Sequence, residues 1–113
     1  MLAVVTDSEG FLKNLSDWST ATAEALATKD KITLTTAHWE IIHLTREFYQ
    51  NFDLSPAMRP LIKYIAQELG KEKASSIYLM RLFTANKSQG QKQESPARVI
   101  ARLAGLPKPK NCL

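Results

Sequence analysis

Cysteine is almost missing from this chain: Cys112 is the only one among 113 residues. A lone thiol closes no intramolecular disulfide and builds no cysteine-based zinc site, so packing has to hold the fold. Long apolar runs are missing as well. No stretch approaches the roughly 18 to 20 uninterrupted apolar residues of a membrane span, and the opening MLAVVTDSEG has neither the basic start nor the apolar length of a targeting peptide. The expectation is a soluble, cytoplasmic protein with no membrane partner. There is no glycine-rich phosphate loop, and the carboxylates, among them Glu40 and Glu47, form no acid/base constellation. His38 and His43 stand about 140° apart around a helix axis, so they do not chelate one metal as an i, i+4 pair would. No metal and no cofactor is expected.

What is present is an ordinary globular composition, 44% apolar, in a length that fits one domain with one modest core. The net charge of +4 is unevenly spread. Residues 81 to 113 carry seven Lys and Arg against Glu94 alone, and the rest of the chain is net negative. A basic C-terminal third suggests an acidic protein surface or a partner bearing nucleic acid, but by itself this signal reads first as a solvated face kept soluble by lysines.

The pattern along the chain is a short β segment followed by helices. LAVVTDSEGFL has two apolar runs around a turn at Asp7–Gly10, which predicts a small antiparallel pair. Ser16 or Asp17 then caps an alanine-rich helix to about Thr28, with Trp18, Ala21, Ala25 and Leu26 inward. Thr35 starts a stronger helix, the expected centre of the core, with Trp39, Ile42, Phe48, Tyr49 and Phe52 at near-helical spacing and Arg46 outward. Ser55-Pro56 reads as a cap with proline at the first helical position, and Gly70 ends that helix. SSIYLMRLF (75–83) makes a fourth helix, TANKSQGQKQE an exposed loop, and Ser95-Pro96 begins a fifth that Gly105 stops after Val99, Ile100 and Leu103.

Beyond Gly105 lies GLPKPKNCL, with Cys112 next to last. Free cysteines are usually buried, but this one is surrounded by Lys108, Pro109, Lys110 and Asn111 and has little to pack against. Two prolines bias the tail toward an extended polyproline form spanning on the order of 20 Å, long enough to enter another protein's cleft. Each nearby lysine favours a thiolate by only about 0.6 kcal/mol at roughly 7 Å in water, so the thiol is expected to be activated inside a partner's pocket.

AGLPKPKNCL, with HWEIIHLTREFYQNF, SPAMRPLIKYIAQELG, YLMRLF and the early DSEGFLKNLSDW, resembles the TusE/DsrC family over nearly the whole chain. That resemblance implies an α+β, mainly α fold: a short antiparallel β segment packed on about five helices in residues 1–105, and a flexible arm in residues 106–113. It implies a sulfur carrier in which Cys112 bears a persulfide. Members that work with dissimilatory sulfite reductase carry a second cysteine eleven residues before the last; here that position is Ala101. The single-cysteine, TusE-like branch is therefore the better match. Its implied partners are a TusBCD-like sulfur donor and an MnmA-like tRNA 2-thiouridylase with its tRNA, served by a carrier that is monomeric when free and is no stand-alone enzyme. The loop at 84–95 departs from the family pattern. The alternatives are sulfur trafficking in a sulfur-oxidation or sulfite-reductase pathway and a helix-turn-helix DNA-binding regulator. Against the regulator, the presumed recognition helix at 75–83 offers only Arg81 to base edges, so no specific DNA binding is expected.

Overall fold

The structure, a computed structural model, describes residues 5–85 and 94–110. Among these residues it contains five α-helices: α1 (Thr20–Lys29), α2 (Thr36–Phe52), α3 (Met58–Leu69), α4 (Ser76–Phe83) and α5 (Pro96–Leu103). Single 3-10 turns at Leu15–Asp17 and Lys71–Lys73 connect them.

The expected N-terminal β segment does not form. Among the described residues there is no strand, only an isolated antiparallel bridge between Thr6 and Leu12. The turn itself is well made: Asp7 Oδ1 accepts from the amides of Glu9 (2.8 Å) and Phe11 (3.0 Å), and Gly10 takes φ 88°. Pairing stops because the chain is recruited elsewhere at once. Phe11 and Leu12 are both buried although a strand would send consecutive side chains to opposite faces, and Asn14 already caps the next 3-10 turn. Residues 2–4 of the predicted pair lie outside the described residues.

Helix starts follow the capping rules, with shifts. Ser19 rather than Ser16 or Asp17 caps α1, its Oγ accepting from the Thr22 amide, and the buried stripe is Thr22, Ala23, Leu26 and Ala27. α2 begins after Thr35 as its sequence predicts. His38 completes that start: Nδ1 accepts from the Thr35 amide at 3.1 Å, while Nε2 lies 2.7 Å from the Leu82 carbonyl. Those two bonds require the Nε2–H tautomer and tie α2 to α4. Phe52, expected in the core, is 54% exposed at the far end of α2.

The centre of the core is α5, not α2. It touches α1, α2, α3 and α4, and seven of its eight residues are buried. One of the seven is Arg102, whose guanidinium meets Asp30 at 3.0 Å, Glu94, and the Glu9 carbonyl at 3.2 Å. Burial opposes the charge, but the Glu94 and Asp30 carboxylates outweigh it and hold the Arg102 pKa above its ordinary value. Arg98 pairs with Glu9 at the surface. Two of the seven positive charges counted in the C-terminal third, Arg98 and Arg102, are therefore paired with carboxylates of the fold. α4 packs mainly on α2 and α5 rather than on α3, which removes the helix-turn-helix arrangement.

Candidate functional site

The site of interest is where α5 hands over to the tail. Every α-helix ends with four carbonyls that lack intrahelical partners. In α5 and its cap all four are satisfied within the fold. The Leu106 amide donates to the Ala101 carbonyl (2.9 Å) and the Gly105 amide to Arg102 (3.2 Å), which is the Schellman pattern. The Trp18 indole donates to Leu103 (2.8 Å) and Arg46 Nη1 to Ala104 (2.7 Å). The Arg46 guanidinium carbon also lies over Trp18, 3.9 Å from the ring centroid, and partial burial lowers the arginine's pKa.

Gly105 has to be glycine here. Its φ is 72°, and a Cβ at that position would sit 2.3 Å from Trp18 Cδ1. The turn it makes sends Leu106 back into the core, where it is 3% exposed.

The tail then runs along the body for several residues. Ser55 Oγ donates to the Pro107 carbonyl at 2.6 Å, Lys108 Nζ meets Glu9 Oε2 at 3.0 Å, and Pro109 is buried. The Lys108 contact holds the Glu9 carboxyl below its ordinary value against the opposing effect of desolvation, with Arg98 adding to the lowering. Beside this stretch opens a cleft of about 500 Å³ lined by Tyr49, Asp53, Leu54, Pro60, Pro107 and Lys110. Cys112, the predicted sulfur-bearing residue, lies outside the described residues, as does the loop at 86–93.

The architecture can now be set beside known proteins. The family described as "DsrC like protein" matches residues 2–113. This chain belongs to the DsrC-like family. Among curated relatives, "Sulfurtransferase TusE" of Photorhabdus laumondii is 48% identical over 97% of this chain and 91% of its own length. The protein of the same name from Yersinia pseudotuberculosis is 47% identical, covering 96% and 92%. Among solved structures, the NMR structure of Allochromatium vinosum DsrC superposes with a TM-score of 0.80 at 41% identity, covering 97% of this chain and 90% of that one. The resemblance carried by the sequence motifs is thus correct at the level of the family.

Three residues that build this family member's tail seat were misplaced by sequence reasoning. Ser55 was assigned to helix capping, but α3 starts two residues later than expected, after Ala57, and the Ser55 hydroxyl is spent on Pro107. Arg46 was assigned to solvent; its spacing of four from the buried Ile42 places it on the flank of the inner stripe, a signal that was available. Glu9 was only part of a turn, and nothing local in the sequence links it to Lys108. His38, set aside as a metal ligand, is a structural link between helices.

Proposed function

We propose that this protein is a sulfur carrier that accepts sulfur as a persulfide on Cys112 and passes it on for tRNA wobble-uridine 2-thiolation. The observation that carries the reading is the near-full-length identity, 48%, to proteins named sulfurtransferase TusE. In this reading residues 1–105 are the body and residues 106–113 the arm that presents the thiol. The donor is a TusBCD-like complex and the acceptor an MnmA-like 2-thiouridylase with its tRNA, both met in the cytoplasm.

The chemistry is thiol–persulfide exchange. The Cys112 thiolate attacks the outer sulfur of the donor's persulfide, a new S–S bond forms, and the donor thiolate leaves. The acceptor's thiolate then attacks the outer sulfur on Cys112, and the Cys112 thiolate is released. No net oxidation or reduction occurs, so neither transfer needs a redox cofactor. Both steps need a cysteine that reaches into another protein, which is what an arm next to the surface provides. Ala101, fully buried in α5, stands where two-cysteine members carry their second thiol, so the chain lacks the pair that would close an internal disulfide.

The test combines loading with position. Incubated with a cysteine desulfurase, cysteine and the upstream relay proteins, the protein is expected to gain one reducible sulfur atom on the peptide containing Cys112, read by mass spectrometry. Cys112→Ser is expected to gain none while folding normally. Cells relying on that variant should lose 2-thiouridine from their tRNA; retention of 2-thiouridine would move the protein to the alternative, sulfur trafficking in a sulfur-oxidation or sulfite-reductase pathway, the latter being the setting in which a solved DsrC is named.

A further inference from the structure

We propose that Ser55, assisted by Glu9, is a positioning residue for sulfur transfer: it clamps the root of the arm and so limits the space through which Cys112 searches. The inference rests on the sulfur-carrier reading. Ser55 is 7% exposed and precedes Pro56, the sequence of a helix start, yet α3 begins only at Met58 and no side chain caps it. The hydroxyl reaches instead across 52 residues of chain to the Pro107 carbonyl at 2.6 Å. A carbonyl in an extended, proline-rich segment has no backbone partner of its own and would otherwise be left to water.

The neighbouring contacts place the clamp at a useful point. Leu106 is locked by its amide bond to Ala101 and by burial, Ser55 holds the next carbonyl, and Lys108 reaches Glu9 on the N-terminal turn. Pro107 and Pro109 stiffen the backbone on both sides of that lysine. The tether of Cys112 is then counted from Pro109 rather than from Gly105. Three residues of chain reach at most about 11 Å, and seven reach about 25 Å. The accessible volume falls on the order of tenfold, with a matching rise in the effective concentration of the thiol at a docked partner's site.

Loss of one hydrogen bond shifts a two-state population by a factor of about five. The experiment loads the full-length protein with a cysteine desulfurase, cysteine and the upstream relay proteins. It then compares a purified tRNA 2-thiouridylase with its tRNA against cyanide as sulfur acceptors. Cyanide takes the outer sulfur as thiocyanate, leaves the Cys112 thiolate, and requires no docking. Ser55→Ala is expected to lower kcat for the thiouridylase about fivefold with the cyanolysis rate unchanged, and Ser55→Thr is expected to restore kcat. A purely structural role would lower the active fraction, and so the rate, equally in both assays. Where Ser55→Ala melts below the assay temperature, Glu9→Gln carries the test, with a smaller fall in kcat that disappears relative to the wild type at high salt. An unchanged kcat in the folded variant overturns the positioning role while wild-type transfer upholds the carrier reading. A wild-type protein that takes no sulfur on Cys112 overturns both.

Discussion

α2 and α5 are both capped by a hydroxyl residue and both contribute to the core, but they teach opposite lessons about how a helix is held. α2, at 17 residues, keeps a wet face with His43, Glu47 and Gln50 exposed, and its burial is a stripe. α5, at 8 residues, is too short to be stable alone and is buried nearly all round, a charged side chain included. Its stability is tertiary from end to end. Contacts at its C-terminus therefore matter more per residue than those on the exposed flank of α2, and this is the end from which the arm departs.

The largest expected effect is at the handover. Gly105→Ala forces a side chain into left-handed backbone and against the Trp18 ring, so a loss of about 3 kcal/mol is expected from strain and overpacking together. Thermal unfolding followed by circular dichroism reads it, and an unchanged Tm would mean that Trp18 is not fixed. Truncation comes next. Deleting residues 106–113 removes the buried Leu106 and the Ser55 bond and is expected to cost about 3 kcal/mol, whereas deleting 111–113 leaves every described arm contact in place. Equal stability of the two truncations would show that the arm's seat adds nothing.

Trp18→Phe keeps an aromatic ring under Arg46 but leaves the Leu103 carbonyl without its donor, for an expected loss of about 1 to 2 kcal/mol. On α2, Glu47→Ala is expected to change stability by no more than about 0.5 kcal/mol, because that side chain is exposed. A large effect there would erase the contrast between the helices.

The smallest effect is electrostatic. Glu9 has its folded-state pKa lowered from 4.5, first by the Lys108 contact, so its contribution is present above that value and is lost as pH falls through the lowered one. NMR shifts of Lys108 followed from neutral to acid pH should change only in that window, and Glu9→Gln should flatten the profile.

Much of this molecule was legible in its residues. Five helices, the caps at Thr35 and Ser95, and the stop at Gly105 all follow from local chemistry, because capping and glycine conformation act within a few residues. The family and its single thiol were legible too, the first from motifs in order and the second from a count. The β segment failed for a reason that local pattern does not hold: its turn is real, but consecutive Phe11 and Leu12 are claimed by the core before a ladder can extend.

Only the tertiary structure decided which helix stands at the centre and where the arm leaves the body. The apolar period of α2 announces an inner face by itself, since a half-buried helix writes its burial as a stripe. α5 writes a stripe too, with Val99, Ile100 and Leu103 on one side, but nothing local says that Arg102 is buried as well, and only the packing of α1, α2, α3 and α4 around it makes α5 the centre. Ser55 and Pro107, Glu9 and Lys108, and Trp18 and Leu103 are each brought together across 52 to 99 residues. Such pairings depend on the packing of every element between them, which is why the chain alone specified a cysteine on a tail and the fold specified how firmly the tail is rooted.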